Sequence, residues 1–249
     1  MSFVEVLRQL FARPAGKSHE TSVDDESSSV DEMMELLQPP EDLLDGEAWD
    51  TYWENHLKFG FGPPMFDMMF DDADLVRAMR AAELATVLCV GNGMSMEPRA
   101  LAAAGFHVTA LDVAPRVTSF ARRAPLDDQY VANLIGDGEQ RPGGEVDFVT
   151  GNILDGSVCP GPFDIVIERR TAQNYAAKDM MGDFLVAAAS RLAKKGIFVS
   201  HCHDGAWRPG RDPSHLPGDW FKEQGWLIWQ GEGADTLDRQ VAWLIRSTG

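Results

Sequence analysis

A glycine turn and an acidic residue are the strongest chemical signals in this chain. Gly91 and Gly93 follow the apolar run ATVLCV, and Asp112 ends a second apolar run. Glycine has no Cβ, so it allows unusual φ values and a close backbone approach to a ligand. An acid roughly 20 residues after such a turn can accept hydrogen bonds from both ribose hydroxyls of an adenosine. The spacing predicts an adenosine site formed by Gly91, Asn92, Gly93, Asp112 and Val113.

The sequence of the glycine turn indicates which adenosine-containing cofactor it could bind. A dinucleotide-binding turn requires a third glycine at position 96, where this chain has Met96. No GxxxxGK[ST] motif follows any apolar run, so a P-loop is excluded. S-adenosylmethionine has no phosphate and tolerates Met96. The turn therefore favours S-adenosylmethionine over a nicotinamide cofactor.

The elements around the turn alternate between strand and helix patterns. Strands are predicted over 85–90, 106–113, 146–152, 163–170 and 196–203. Helices are predicted over 95–105, 114–124 and 176–193, the last with Lys194, Lys195 and Gly196 as its basic end and stop. Two further apolar runs, 225–232 and 239–247, are spaced as a hairpin. The prediction is an α/β, Rossmann-like, seven-stranded, mostly parallel sheet with a C-terminal antiparallel hairpin and helices on both faces.

This plan resembles that of the class I S-adenosylmethionine-dependent methyltransferases. More narrowly, residues 48–246 are similar to the thiopurine methyltransferase and tellurite-resistance branch. GMSME (93–97) stands where that branch often has a CGKSxD turn, and FDIVIERRTAQNY (163–175) is similar to its FDxVWDRGAL. The resemblance implies a methyltransferase with S-adenosyl-L-methionine as cofactor and a small polar or anionic molecule as methyl acceptor.

The resemblance assigns roles to the charged end of the fourth strand. Glu168 and Arg169 fall on the family's DR pair, whose arginine lies beside the substrate in relatives. It implies that Arg169 orients the acceptor, with Glu168 or Arg170 assisting, and that Glu168 also contacts the cofactor. Arg170 stands where glycine is usual. The alternative is a charge cluster at the sheet edge, paired with acids such as Asp164 or Asp204.

Two other positions are implied by the resemblance. Asn152 and Ile153 fall where relatives hold the adenine, and the alternative for Asn152 is a turn asparagine. Tyr52 and Trp53 fall in the lid that relatives place over cofactor and acceptor, where an aromatic ring suits a sulfonium. The alternative for these rings is ordinary packing on the sheet.

His201 is a candidate base. If the acceptor is a hydroxyl or an amine, Glu168 or His201 would remove its proton. His201 and His203 would share one face of a strand, but zinc needs a third and usually a fourth ligand, and none is suitably spaced. The prediction is therefore that the chain has no metal site.

Composition excludes several classes of partner. The chain has 22 basic and 39 acidic residues, a formal charge of −17, which repels a phosphate backbone and argues against nucleic acid. No apolar run approaches the ~20 residues of a membrane span. The three cysteines are odd in number and unpatterned, which favours a reducing, cytoplasmic location.

Changes in amino-acid composition along the sequence divide the chain into three parts. Residues 1–46 are predicted to be a flexible acidic arm with a short amphipathic start, and this arm could bind a protein partner. Residues 47–84 are predicted to form an N-terminal helical lid. Residues 85–249 are predicted to form the Rossmann-like domain. The altered turn, together with Cys89, Asn152 and Arg170, leaves an alternative function open. This alternative is a catalytically silent S-adenosylmethionine-binding adaptor or partner-binding protein.

Overall fold

The chain forms two compact units, Met1–Gln38 and Pro39–Gly249. The computed structural model describes residues 33, 35–60, 76, 79–80, 83–126, 128–135, 143–202, 226–230 and 240–246. In the first unit, the N–H of Leu37 donates to the carbonyl oxygen of Met33 at 3.1 Å. Most of the predicted arm lies outside the described residues. The second unit begins at Pro39, earlier than the predicted boundary at residue 47, and Leu43 lies in its core.

Seven strands of the second unit form one sheet. They are β1 (Thr86–Val90), β2 (His107–Asp112), β3 (Glu145–Thr150), β4 (Phe163–Arg169), β5 (Leu192–Cys202), β6 (Trp226–Gln230) and β7 (Gln240–Arg246). The spatial order is β3-β2-β1-β4-β5-β7-β6. The first five strands in this order are parallel, and β7 runs antiparallel to both β5 and β6. The prediction of an α/β fold with a mostly parallel sheet is confirmed.

Helices cover both faces of this sheet. Those described are α1 (Gly46–Lys58), α2 (Glu97–Ala103), α3 (Pro115–Arg123), α4 (Asp128–Ile135), α5 (Ala172–Ala176) and α6 (Met181–Ser190). Alternate residues of a strand point to opposite faces. Accordingly, Leu88 of β1 packs with Phe184 of α6, whereas Val87 packs with Leu101 of α2. The α4 helix was not predicted from the sequence.

One predicted helix is wrong in its extent. The sequence predicts a single helix over 176–193, but the chain forms α5 and α6, separated by a turn in which Asp179 has a φ of +57°. Lys194, Lys195 and Gly196 lie inside β5 rather than ending a helix. The register with β4 passes from Leu192 to Ile197, and the pairing with β7 begins at Ile197. The three residues 194–196 therefore form an irregular stretch before the part of β5 that is paired on both sides.

The carboxyl ends of the parallel strands meet at one edge of the sheet. Val90 of β1 is in register with Leu111 of β2 and with Glu168 of β4. Arg169, the last residue of β4, is in register with His201 of β5. In open α/β sheets, ligands bind outside this edge. The strand order therefore brings the predicted glycine turn, Asp112 and the charged end of β4 together.

Candidate functional site at the carboxyl edge of the sheet

Asp112 ties the glycine turn to the end of β2. Its Oδ2 accepts the N–H of Gly93 at 2.7 Å, and its Oδ1 accepts the N–H of Ala114 at 2.9 Å. Gly91 and Gly93 have φ values of +63° and +50°, which side chains with a Cβ rarely adopt. The two glycines thus allow the turn to bend back onto the acid. Asp112 was predicted to bind a ligand next to this turn, and it also stabilises the turn itself through the N–H of Gly93.

Burial makes Asp112 a weak acid. The carboxyl group is 6% exposed, and desolvation raises its pKa to about 6. The two N–H bonds oppose this rise, and the nearby charge of Asp50 adds to it. The group is ionised near neutral pH and becomes protonated in mildly acidic solution.

Protein side chains pack against both glycines. A Cβ at Gly91 would overlap the Thr171 hydroxyl, and a Cβ at Gly93 would overlap the Trp53 indole. Thr171 is held there because its Oγ1 donates to the carbonyl oxygen of Val90 at 3.1 Å. These glycines were predicted to let a ligand approach the backbone. Among the described residues, the side chains that leave no room for a Cβ there are those of Trp53 and Thr171.

The α1 helix is docked over this edge by a buried cap. Asp50 is 2% exposed, and its Oδ1 accepts the N–H groups of Arg116 and Val117 at 2.9 and 3.1 Å. It therefore caps the first turn of α3 from another helix. Gly46, at the start of α1, contacts the carbonyl oxygen of Val113, and a Cβ there would overlap it. Val113 is thus half-buried beneath α1.

Aromatic rings cluster along α1. The Tyr52 ring lies 5.2 Å, centroid to centroid, from both Trp49 and Trp53, edge to face in each case. His56 lies 4.1 Å from the Tyr52 ring and donates from Nδ1 to the Tyr52 carbonyl oxygen at 2.9 Å. Burial lowers the pKa of His56. His56 was not predicted from the sequence, although its spacing of four residues from Tyr52 places both on one helix face.

Glu168 is fully buried and caps α5. Its Oε2 accepts the N–H groups of Thr171 and Ala172 at 2.9 and 3.0 Å, and its Oε1 accepts the Ser200 hydroxyl. These bonds hold the segment that places Thr171 on Gly91. The Glu168 carboxylate was predicted to contact the cofactor or the acceptor. Its hydrogen bonds to Thr171 and Ala172 show that it also positions Thr171 against the glycine turn.

Arg169 forms a buried ion pair with Glu97. Its Nε lies 3.2 Å from both carboxylate oxygens, and its Nη2 lies 2.5 Å from Oε1. The side chains are 8% and 6% exposed. The alternative of an edge charge cluster named acids such as Asp164 or Asp204 as partners. Within the described residues Arg169 pairs with Glu97, and Asp204 lies outside those residues. Asp164 instead accepts the N–H groups of Ala85 and Thr86.

Glu97 was not predicted as a site residue. It is the first residue of α2 and the last of the GMSME turn, which was the available signal. The buried Cys89 lies close enough to this pair for Glu97 to raise, and Arg169 to lower, the pKa of its thiol, which burial already raises. The three residues join β1, α2 and β4 under the turn.

Arg170 has an unusual backbone conformation. Its φ of +61° lies in the left-handed region, and its carbonyl oxygen accepts the Nδ2 group of Asn174 at 3.3 Å. The charge of this half-buried side chain lowers the pKa of the Tyr52 phenol. Burial has the larger effect and raises the Tyr52 pKa to about 12.

The predicted adenine residues belong to the loop after β3. Asn152 Oδ1 accepts the N–H of Leu154 at 2.8 Å, as in the alternative of a turn asparagine. Ile153 is buried in the core with Leu111. The loop is fixed by Arg191, which donates to the carbonyl oxygens of Asp155 and Val158.

Asn92 has a buried acceptor that no described protein donor reaches. Its Nδ2 donates to the carbonyl oxygen of Gly93 at 2.9 Å, which fixes the amide orientation. Its Oδ1 has no hydrogen-bond partner within the described part of the chain. Leaving a buried acceptor unpaired costs about 1–3 kcal/mol, so this atom indicates a place for a donor.

The remaining predictions concern His201 and metals. His201 lies in β5, but its side chain is outside what the structure describes. Within the described ranges, no group of three His, Cys, Asp or Glu side chains could hold a metal ion. The residues that the structure defines contain no helix long and apolar enough to cross a bilayer.

Comparison with solved structures identifies this fold. A TehB-like S-adenosylmethionine-dependent methyltransferase from Corynebacterium glutamicum matches with a TM-score of 0.50 at 17% identity, over 82% of this chain and 98% of that chain. The fold is that of the S-adenosylmethionine-dependent methyltransferases. The DhpI–SAM–HEP complex also matches this methyltransferase fold, with a TM-score of 0.53 at 17% identity, over 84% of this chain and 100% of that chain. No protein-family model and no curated protein sequence matches the chain. The predicted resemblance to the class I methyltransferases is confirmed at the level of the fold.

Proposed function

We propose that this protein binds S-adenosyl-L-methionine and transfers its methyl group to a small polar or anionic molecule. The methyltransferase fold supports the cofactor and the class of reaction. The strand order β3-β2-β1-β4-β5-β7-β6, with only β7 reversed, agrees with the plan expected from the sequence. Because one fold can support many functions, the residues of the site must carry the chemistry.

The observation that carries the proposal is the position of Asp112. Its carboxylate lies at the end of β2 and is joined to the glycine turn through the N–H of Gly93. Each carboxylate oxygen has two lone pairs, so the bonds from the backbone N–H groups of Gly93, Ala114 and Val113 still leave acceptor capacity for a ligand hydroxyl. A ribose hydroxyl of an adenosine would supply that donor.

The residues present fit such a ligand. Asn92 Oδ1 is a buried acceptor in the turn without a described protein donor, and an N–H or O–H group of the ligand would pair with it. We propose that the cofactor contacts are made by Gly91, Asn92, Gly93, Asp112, Val113, Asn152 and Ile153. Glu168 would support them indirectly, by holding Thr171 against the turn.

The chain's own residues would orient the reaction. When bound, S-adenosylmethionine supplies an electrophilic methyl group on a sulfonium. Trp53 lies on Gly93 beside Tyr52, where the rings would exclude water and favour a positive charge by about 0.5–2 kcal/mol. In-line transfer needs the acceptor atom about 3 Å from the methyl carbon, so most of the gain would come from orientation.

The sequence offers Glu168 and His201 as bases that could remove a proton from the methyl acceptor, and the structure distinguishes between them. The oxygens of Glu168 already accept two N–H groups and the Ser200 hydroxyl, so we assign this residue a positioning role. Tyr52 keeps its proton because its pKa is about 12. For a hydroxyl or amine acceptor, we propose His201, in register with Arg169, as the base.

Calorimetric titration tests the cofactor site. We expect micromolar binding of S-adenosylmethionine and S-adenosylhomocysteine, and no binding of NAD. Asp112→Ala should weaken both complexes at least tenfold, whereas Asp147→Ala, an exposed acid in the middle of β3, should bind as the wild type does. Equal affinity of wild type and Asp112→Ala would refute the proposed ribose contact.

A second candidate is a catalytically silent cofactor-binding protein. The pairing of Arg169 with Glu97 favours it, because the guanidinium that relatives are expected to turn toward the acceptor is engaged. Cofactor binding without formation of S-adenosylhomocysteine across an acceptor screen would support this candidate. Acceptor-dependent formation of S-adenosylhomocysteine would exclude it.

A further inference from the structure

The α5 helix carries a tyrosine at the carboxyl edge of the sheet. Glu168 caps this short helix by accepting the N–H groups of Thr171 and Ala172. Tyr175 follows Thr171 by four residues, so the two side chains lie on one face of the helix. The Thr171 side chain packs against Gly91, where a Cβ would overlap it. Tyr175 therefore lies on the α5 face that is directed toward the glycine turn.

The Tyr175 ring is buried in the apolar cluster under this edge. The side chain is 6% exposed, and its ring stacks on Phe184 of α6 at 4.8 Å between centroids. The same cluster contains Val90, the last residue of β1, Leu111, the penultimate residue of β2, and Ile153 of the loop after β3. These are the ends of the segments that carry the proposed cofactor contacts. The packing therefore holds the phenol ring beneath the proposed cofactor site.

The Tyr175 hydroxyl forms no hydrogen bond with any residue that the structure describes, whereas the carbonyl oxygen of Tyr175 accepts the N–H groups of Lys178 and Met180. The hydroxyl oxygen is not sealed in the core, because it is absent from the fully buried polar atoms that lack a partner in this part of the chain. Burial of the ring raises the pKa of Tyr175 to about 12, and the Asp112 charge adds to the rise, so the hydroxyl keeps its proton at neutral pH. The hydroxyl is therefore an accessible hydrogen-bond donor without an acceptor among the described residues.

Other hydroxyl groups at this edge have partners inside the protein. Thr171 donates to the carbonyl oxygen of Val90, and Ser200 donates to the Glu168 carboxylate. In contrast, the described contacts of Tyr175 are those of its ring, and a phenylalanine would make them equally well. A polar group that is not used by the fold points to a ligand as its partner.

We propose that the Tyr175 hydroxyl donates a hydrogen bond to the adenosine half of S-adenosylmethionine. This inference rests on the proposed function and adds a cofactor-binding residue to it. The adenosine half is chosen because Leu111 and Ile153, in the same cluster as the ring, belong to the segments proposed for the ribose and the adenine. The ionised Asp112 carboxylate can only accept hydrogen bonds, whereas a ribose hydroxyl can donate one and accept another. Tyr175 would supply the donor that Asp112 lacks.

Removal of the hydroxyl alone tests this contact without knowledge of the methyl acceptor. Wild type and Tyr175→Phe are titrated in a calorimeter with S-adenosylhomocysteine and with methylthioadenosine, which keeps the adenosine half and lacks the amino-acid half. We expect Tyr175→Phe to weaken the binding of both ligands by the same factor, about three- to tenfold. The variant should melt no lower than the wild type, because the phenyl ring keeps its stack on Phe184 and loses no described protein bond.

Thr86→Val is the matched control, because it removes a hydroxyl from the opposite, amino end of β1. The Thr86 Oγ1 donates to Oδ2 of Asp164 at 3.1 Å and accepts the N–H of Asp164 at 2.9 Å. This variant should therefore melt below the wild type and bind both ligands as the wild type does. The opposite patterns of the two variants distinguish a ligand contact from a structural hydrogen bond.

The outcomes separate this inference from the proposed function. Equal affinities of wild type and Tyr175→Phe overturn it, as does a loss that affects S-adenosylhomocysteine alone or a wild type that does not bind methylthioadenosine. A melting temperature of Tyr175→Phe below that of the wild type also overturns it, because the hydroxyl would then bond within the protein. In these cases binding of S-adenosylhomocysteine by the wild type still supports the proposed function. If the wild type binds neither ligand, the proposed function fails and this inference fails with it.

Discussion

Arg169 and Glu97 form a bidentate ion pair that is almost fully buried, with the guanidinium Nε 3.2 Å from both carboxylate oxygens. The pair joins the end of β4 to the first turn of α2. Two charges removed from water are stable together only while both are present. The pair therefore fixes the floor of the candidate site more than it strengthens the fold.

Breaking this pair from one side should be costly. Glu97→Gln leaves the Arg169 charge buried without its counter-ion, and we expect it to lower the free energy of unfolding by about 3–5 kcal/mol. The double variant Glu97→Leu, Arg169→Met should recover most of this loss. Urea denaturation of the three proteins measures it, with Glu145→Gln as an exposed ion-pair control. A double variant no more stable than Glu97→Gln would contradict this account.

Asp112 should make stability depend on pH. Its pKa is 3.8 in the unfolded chain and about 6 in the folded protein, so the folded state binds the proton more tightly. Its contribution is present below pH 4 and is lost as the pH rises through 6. We expect the stability difference between wild type and Asp112→Asn to fall by roughly 2–3 kcal/mol from pH 4 to 7. A constant difference in denaturation at these pH values would show that the carboxyl titrates normally.

Arg191 should stabilise the loop after β3. The side chain is 2% exposed and donates to the carbonyl oxygens of Asp155, Val158 and Ala187. Arg191→Met leaves the Val158 carbonyl oxygen without its Arg191 bonds and removes one of the donors to the carbonyl oxygens of Asp155 and Ala187, so we expect a loss of about 1–3 kcal/mol. Arg122→Met, which removes one bond from an exposed arginine to Phe148, should change little. Hydrogen exchange should accelerate at Val158 and Asp155 in the first variant only.

Asp50 should couple α1 to α3. Asp50→Ala removes the acceptor of two α3 N–H groups, and we expect a loss of about 1–2 kcal/mol. Glu54→Gln breaks only the exposed pair with Arg116 and should leave the unfolding midpoint unchanged. Guanidinium denaturation followed by tryptophan fluorescence compares the two, because Trp49 and Trp53 lie on α1. Equal effects of both changes would show that capping is unimportant here.

The local parts of this architecture could be predicted from the sequence, and the tertiary contacts could not. The turn at Gly91 and the acid at Asp112 are readable because both follow apolar runs at a characteristic spacing. Arg169 could be placed at a strand end. Its partner could not be identified, since the chain has 39 acidic residues and Glu97 is brought close only by the pairing of β1 with β4.

One wrong prediction and one contact that was not predicted have the same physical origin. Lys194 and Lys195 follow an apolar helical pattern and look like a helix end, yet they belong to a strand that is paired with two neighbours from Ile197 onward. The hydrogen bond of the Ser200 hydroxyl to the Glu168 carboxylate was not predicted, and the register of β4 with β5 places it there. In both cases the deciding contacts come from β5, which is distant in sequence from the residues that start the site.

The order in which the chain is synthesised gives the Asp50 cap a further consequence. The α1 helix is synthesised before Arg116 and Val117, whose N–H groups Asp50 caps. It is also synthesised before the glycine turn against which Trp53 packs. The aromatic face of α1 therefore cannot reach its native packing until β2 and α3 have been synthesised. Trp53 stays without its contact on Gly93 in the nascent chain until the glycine turn is in place.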